Sequence, residues 1–315
     1  MAFSRVRKSA PCPVCGKSDW CGASASKEEN QTLAICMRVE SKHPTRNGGW
    51  LHVLGESEIR EPIRWSPPVK VQGCTRLNDA ALDIAYTKFL GRLSLSRKHL
   101  ASLLARGMSE EEIRSRGYRS APISSPSLPD MSGVPGFYKA YNGNWRMVST
   151  KGLLIPVRDK SARIVGLQVR HDDTNTDGAK YRWFSSNGYH TGTTSSAHVH
   201  VSQPIHRAPR PGLVWITEGP IKADISAERL GITVFGVPGV STWRAALSLL
   251  DSSITHVVVA YDQDMYENPA VKHNARALCN ALTATGRAVA VAIWYGAKGL
   301  DDALVSGIRP KVRVF

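Results

Sequence analysis

From residue 211 onward the chain alternates short apolar runs with amphipathic segments, and that alternation constrains the fold more than any other feature. Strands are expected near 213–217, 232–236, 256–261 and 288–294, with helices near 221–230, 242–250 and 269–285. Apolar strands separated by helices imply a parallel sheet covered on both faces. In such a sheet, ligands sit beyond the carboxyl ends of the strands. The chain places acid there. Glu218 follows the run Leu213-Val214-Trp215-Ile216-Thr217, and Asp262 and Asp264 follow the run His256-Val257-Val258-Val259-Ala260-Tyr261.

Asp262 and Asp264 are two residues apart, so on extended backbone they face the same side. Crowded carboxylates repel one another unless a cation intervenes. Oxygen ligands alone suit a hard ion such as Mg²⁺, which keeps several waters and bridges to phosphate. Gly219 permits a close loop approach, and Pro220 suits the first position of the next helix. Asp301 and Asp302 follow Lys298-Gly299-Leu300 after the fourth run, near enough to join the set. Any one of these residues alone reads as a helix cap or a solvated loop end. Together, in this strand register, they read as a site for phosphate chemistry.

Upstream, 78–118 carries helical spacing. Asn78-Asp79 can cap a helix with Leu82, Ala85, Tyr86, Phe89 and Leu90 on one side. A second helix runs from about Ser96 to Gly107. A third opens at Ser109-Glu110-Glu111-Glu112, where acids suit the positive end of the dipole. Gly152–Asp159 and Arg163–Arg170, around a short polar turn, read as a hairpin. The net charge is +15, and residues 61–210 hold 22 basic against 11 acidic residues. That concentration in the middle third points to a polyanion-binding surface, with nucleic acid the first choice. A generic basic surface is the plainer alternative.

At the N-terminus, Pro11-Cys12-Pro13-Val14-Cys15-Gly16 forms a knuckle of the zinc-ribbon type. Cys12, Cys15, Cys21 and Cys36 are the favoured four ligands for structural Zn²⁺. Cys21 follows Cys15 closely, and His43 or His52 would replace it if it fails. A redox reading of the CxxC pair needs a βαβ setting that this region lacks. Cys74 and Cys279 read as structural. His198-x-His200 has strand spacing that could hold a metal, but no third ligand accompanies it. Trp20, Arg38 and Trp50 suit stacking and phosphate contact with a single strand; the two tryptophans could equally form the module's small core. A Pro- and charge-rich segment from Glu58 to Val71 separates this module from the rest.

Glu218-Gly219, Gly236-Val237-Pro238-Gly239, Asp262-x-Asp264 and Gly299-Leu300-Asp301-Asp302 together resemble the Toprim domain of DNA primases, topoisomerases and some nucleases. The resemblance implies that Glu218, Asp262 and Asp264 are catalytic and hold Mg²⁺ or Mn²⁺, with Asp301 and Asp302 as a possible additional site. The segments Leu154–Asp159, Ile164–Arg170 and Lys180–Ser186 resemble the basic subdomain of bacterial-type primases, which implies phosphate contacts from Arg158, Arg170 and Lys180. Arg182-Trp183 departs from the small polar residues usual there. No Gly-x4-Gly-Lys-[Ser/Thr] loop occurs, so the chain carries no P-loop motor.

The expected architecture is α+β and multidomain. A zinc-ribbon template-binding domain spans 1–56, a linker 57–77, a helical segment 78–120, and a basic β-rich subdomain 121–210. A Toprim α/β domain with a parallel sheet spans 211–307, and a tail 308–315. The expected function is a DNA primase that joins nucleoside triphosphates into short primers on single-stranded DNA. A separate replicative helicase would be its partner, and a phage or mobile element in a bacterial cytoplasm its setting. Two rival readings are a Toprim nuclease or topoisomerase-like enzyme and a non-catalytic single-strand-binding accessory. No apolar run approaches the ~20 residues of a membrane span.

Overall fold

The structure is a computed structural model, and it describes residues 3–26, 31–39, 41–43, 45, 50–54, 73–172, 180–263 and 269–315. It divides into two units, Met1–Val69 and Lys70–Phe315. No helix among the described residues is long and apolar enough to cross a membrane.

The first unit is a four-stranded antiparallel sheet of β1 (Ser4–Arg5), β2 (Gly22–Ser26), β3 (Gln31–Cys36) and β4 (Trp50–Leu54), in sequential order. Its buried centre is small: Val6, Cys12, Cys21 and Cys36, with Val14, Cys15 and Ala23 against them. The ligand atoms of Cys12, Cys15, Cys21 and Cys36 all lie within 4.8 Å of one another. Four sulfurs around one Zn²⁺ at ~2.3 Å stand about 3.8 Å apart, and the Cys15 and Cys21 sulfurs are 3.7 Å apart. Backbone N–H groups of Arg38 and Val39 point at the Cys36 sulfur, at 3.5 and 3.3 Å, and that of Met37 points at the Cys21 sulfur at 3.4 Å. Such donors stabilise thiolates and orient them toward a metal. All four cysteines are free thiols. The set therefore fits zinc. Cys21 belongs to it, while His52 instead pairs its Nε2 with the Val39 carbonyl. Trp20 is 68% exposed, which removes it from the core. Arg38 reaches the Asp19 carboxylate at 2.9 Å.

In the second unit, helices α1 (Asp79–Leu90), α2 (Arg97–Ala105) and α3 (Glu110–Arg116) form where capping and spacing place them. Asn78 and Ser96 each cap a helix with a side-chain oxygen, and Ser109 and Glu112 complete a capping box. Strand β5 (Arg119–Ser120) follows, then the small hairpin β6 (Phe137–Lys139) with β7 (Trp145–Met147). The longer hairpin β8 (Gly152–Arg158) with β9 (Ile164–His171) is flanked by β5 and by β10 (Tyr181–Trp183), giving the order β10-β9-β8-β5. Phe89, Phe137 and Phe184 pack together beneath α1 and this sheet.

The remaining elements are β11 (His200–Ser202), β12 (Leu213–Glu218), α4 (Pro220–Leu230), β13 (Thr233–Val237), α5 (Arg244–Leu247), β14 (His256–Val259), α6 (Pro269–Thr283), β15 (Ala288–Ile293), α7 (Leu300–Val305) and β16 (Lys311–Val314). The sheet order is β11-β13-β12-β14-β15-β16, parallel through the four central strands and antiparallel at both edges. Side chains alternate as period two demands. Val214, Ile216, Val257 and Val259 face α6, while Trp215, Val258 and Ala260 face α4 and α7.

Three sequence expectations change. The sheet is mixed, because β11 joins it from the segment assigned to the basic subdomain. Lys311–Val314 is an edge strand rather than a tail; its Lys-Val-Arg-Val alternation spans only four residues, all of them exposed. The helix expected over 242–250 is a 3₁₀ turn at Val240–Thr242 followed by the short α5.

Beneath α4 lies a buried polar knot. Asp224 Oδ1 accepts from His200 Nε2 at 2.9 Å, Ser202 Oγ at 2.7 Å and Arg116 Nη1 at 3.0 Å, and Oδ2 accepts from the Tyr118 hydroxyl at 2.5 Å. The Arg158 amide donates to His200 Nδ1 at 3.0 Å, so that imidazole carries its proton on Nε2. His198 pairs instead with Arg76 at 3.1 Å, so the two histidines do not form a metal pair. Burial alone would raise the Asp224 carboxyl, but the Arg116 charge, His200 and Tyr118 outweigh it and hold it well below the usual carboxylate range.

Two outcomes follow from these clusters. Cys12→Ser and Cys36→Ser each lose stoichiometric zinc and the fold of the first unit, since metal supplies on the order of 10 kcal/mol to such modules; metal analysis and circular dichroism check this. Asp224→Ala lowers unfolding stability by about 3–5 kcal/mol, because the buried Arg116 is left unpaired. Asp224's contribution is full above its unfolded pKa of ~3.9 and is lost as pH falls through its depressed folded value. Urea denaturation of wild type and Asp224→Asn from about pH 5 down to the lowest pH at which both fold therefore shows a steeper acid loss in wild type, beginning below about pH 4.

Candidate functional site

Parallel pairing aligns Ile216 of β12 with Val259 of β14. Glu218 lies two residues beyond that rung and Asp262 three, so both emerge past the same carboxyl edge of the sheet. Glu218 is half-buried and ends its strand; Asp262 is buried. Asp264 lies outside the described residues. β14 stops at Val259, so Asp262 sits on a loop, and the next amide, of Gln263, donates to the Lys298 carbonyl at 3.1 Å. That bond joins the Asp262 loop to the loop entering α7.

The turn after Glu218 is tight. Gly219 takes φ +73°, its N–H donates to the Val237 carbonyl at 2.8 Å, and Pro220 opens α4 at once. A Cβ on Gly236 in β13 would stand 2.6 Å from the Gly219 carbonyl oxygen, so only glycine lets the neighbouring strand pass this turn. α4 begins with no side-chain cap. The positive end of its dipole therefore lies immediately after Glu218, a setting that favours anions.

Asp301 and Asp302 occupy the first turn of α7. Asp301 is 1% exposed, and its Oδ2 pairs with Arg106 of α2. Its Oδ1 is buried with no hydrogen-bond partner among the described residues. An ideal Cβ at Gly299 would meet Asp301 Oδ1 at 2.5 Å, Asp302 Oδ2 at 3.3 Å and Lys222 Cε at 3.5 Å. The Lys222 ammonium itself pairs with Asp262 Oδ1. Glu218, Asp262, Asp301 and Asp302 are thus gathered around one end of the sheet, with Arg106 and Lys222 offsetting their charge. Carboxylate oxygens, one of them buried and unpartnered, suit a hard divalent ion. Oxygen donors of this kind are compatible with Mg²⁺ or Mn²⁺, although among the described residues only the four cysteines gather as a set of three or more metal-ligating groups.

Sequence reasoning missed Arg106 and Lys222. In the sequence Arg106 is an ordinary cation next to a helix C-terminus, with no local sign of a distant partner. It reaches Asp301 because Gly107, at φ +84°, brings α2 against α7; a Cβ there would stand 2.5 Å from a Val305 methyl. Lys222 did leave a signal, a cation in the first turn of a helix. Burial works against the Arg106 charge, yet Asp301 and Tyr181 hold it and move its pKa up.

The basic residues expected to meet phosphate are placed differently from one another. Arg158 is turned to backbone, donating to the Ala162 carbonyl at 2.8 Å and the Arg116 carbonyl at 3.3 Å, and burial lowers its pKa. Arg170 donates to Ser102 Oγ at 3.1 Å and lines a cleft of about 100 Å³ with Lys98, Ser102, His99 and His171. Lys180 is exposed, and its carbonyl accepts from the His171 amide at 3.0 Å.

Residues 209–309 match a family model described as a domain of unknown function, DUF3854. No curated protein matches the chain. Among solved structures, the chain is similar to the zinc-binding and RNA polymerase domains of the Aquifex aeolicus primase, at 13% identity and a TM-score of 0.55. That match takes in 75% of this chain and 63% of the Aquifex chain, less than two thirds of its length. It is also similar to a DnaG primase catalytic domain bound to single-stranded DNA (16% identity, TM-score 0.52, 72% of this chain and 75% of that one). The RNA polymerase domain of Mycobacterium tuberculosis DnaG, in complex with double-stranded DNA bearing a 6-nucleotide overhang, matches at 18% identity and a TM-score of 0.53, over 76% of this chain and 82% of that one. The chain is therefore built on the fold of DnaG-type primase catalytic cores.

Proposed function

We propose that this protein is a Toprim-type DNA primase that joins nucleoside triphosphates into short primers on single-stranded DNA. The observation that carries the reading is the placement of Glu218 and Asp262 past one carboxyl edge of adjacent parallel strands, within a fold shared with DnaG catalytic cores. The neighbours bound to single-stranded or overhanging DNA support a nucleic-acid substrate. The Glu218-Gly219 and Asp262-x-Asp264 spacing supports the Toprim assignment. The cysteine cluster supports a zinc module that helps hold template, with Trp20 exposed for stacking.

In the reaction, a primer 3′-hydroxyl attacks the α-phosphate of the incoming triphosphate, the new phosphodiester forms, and pyrophosphate leaves. A divalent ion held by Glu218 and Asp262, with Asp264 as a third carboxylate, would supply charge stabilisation at the attacking and leaving oxygens. Alternatively, Glu218 would assist transfer of the hydroxyl proton instead of holding the ion. The open N-terminus of α4 favours the phosphate chain from one side. Arg170, Lys98 and Lys180 offer cations for template phosphates, while Arg158 supports the fold through its carbonyl contacts. A separate replicative helicase, which would open the duplex, is the partner that this reading expects.

Two results test the reading. Template-dependent synthesis of di- and oligonucleotides falls at least about a hundredfold in Asp262→Ala, the loss expected when several kcal/mol of charge stabilisation disappear. Zinc content stays at the wild-type value, and circular dichroism shows that the variant remains folded. Undiminished synthesis by that variant refutes the assigned site, and metal-dependent nicking of plasmid without nucleotides would instead mark a nuclease. Arg170→Ala weakens binding to single-stranded DNA and reduces the salt dependence of log K by about 0.7, the contribution of one phosphate contact. Fluorescence anisotropy across a salt series measures it.

A further inference from the structure

Lys222 breaks a local rule. It is the third residue of α4, counting from Pro220, where the positive end of the helix dipole disfavours a cation. Its side chain is only 21% exposed, so its ammonium has given up most of its water. Residues that break local rules in this way collect at functional sites. The compensation here is Asp262, whose Oδ1 receives the ammonium. The stem of Lys222 also lies against Gly299, beside the oxygens of Asp301 and Asp302. One lysine therefore sits among the carboxylates of the Asp262 loop and the first turn of α7, on an oxygen that a divalent ion would take.

An ammonium and a divalent ion compete for that oxygen. We propose that Lys222 is a built-in counter-cation, which holds Asp262 while no metal is bound, weakens divalent-ion binding by the free protein, and releases the carboxylate when nucleotide and metal arrive together. The inference rests on reading Glu218 and Asp262 as the metal-holding pair. A triphosphate supplies oxygens for the ion and a new anionic partner for the displaced ammonium. Metal and nucleotide then bind with positive coupling, and the coupling is reciprocal. A lysine suits the exchange because its ammonium is a compact charge on a flexible stem, whereas arginine presents a planar fork. Lys222 is in this sense a positioning residue that sets when the site becomes competent.

The test is Mn²⁺ titration of the zinc-loaded full chain, followed by electron paramagnetic resonance of free Mn²⁺, with and without a non-hydrolysable nucleoside triphosphate. Wild type binds Mn²⁺ weakly alone and at least tenfold more tightly with nucleotide. Lys222→Met binds Mn²⁺ at least tenfold more tightly than wild type without nucleotide and loses most of the coupling, and Lys222→Gln, the check against misfolding of the first variant, does the same. Lys222→Arg retains the weak binding of wild type. Unchanged or weaker Mn²⁺ affinity in folded Lys222→Met, with binding still abolished by Asp262→Ala, overturns the role of Lys222 alone. Mn²⁺ binding that Asp262→Ala leaves intact overturns the metal site and the proposal with it.

Discussion

Carboxylates brought together at one sheet edge repel each other, and much of the second unit can be understood as the arrangement that tolerates this. Parallel pairing of β12 with β14 is driven by valines and isoleucines that bury on both faces of the sheet. That burial forces Glu218 and Asp262 past the same edge. The repulsion is met by cations from elsewhere in the chain: Arg106 from the end of α2 on Asp301, and Lys222 from the start of α4 on Asp262. The site is balanced by side chains that come from different layers of the fold.

Helix α4 connects this balance to the body of the unit. Its first turn follows Glu218 directly and carries Lys222, and two residues later Asp224 enters a buried knot with Arg116, Tyr118, His200 and Ser202. Farther along, Arg229 reaches Glu112 of α3 and the Gly107 carbonyl, and Glu228 holds His206 and the Ile205 amide. These contacts leave the helix little freedom to slide. A rigid α4 holds both the open helix terminus and the lysine in register with the strand ends.

Periodicity made most of the elements legible. The four central strands and the helices α1, α2, α3, α4 and α6 carry enough apolar residues at period two or near 3.6, with caps and glycines at their ends, to be read before folding. The zinc ligands were legible for a similar reason, since the Cys12-x-x-Cys15 spacing is local chemistry. The elements that sequence reasoning missed are too short for periodicity to reveal them. β16 is Lys-Val-Arg-Val with every residue exposed, β11 is three residues long, and α5 is a single turn. Each forms because a neighbour offers a ladder or a packing surface, and that is information held by the partner.

The candidate site divides in the same way. Glu218, Asp262, Asp301 and Asp302 could be named from residue type and strand register alone. Arg158, Arg170 and Lys180 looked alike in sequence, and the structure separates them: the Arg158 guanidinium donates to the Ala162 and Arg116 carbonyls. Arg106 and Asp301 are 195 residues apart, a separation that no local pattern spans. The sequence by itself determined which central strands form, which ends of them are acidic and that Cys12 and Cys15 make a knuckle, while the gathering of Cys21 and Cys36 with that knuckle is a result of the fold. Only the tertiary structure decided which cations face those acids, because ion pairs depend on distance in space, and distance between layers is set by packing.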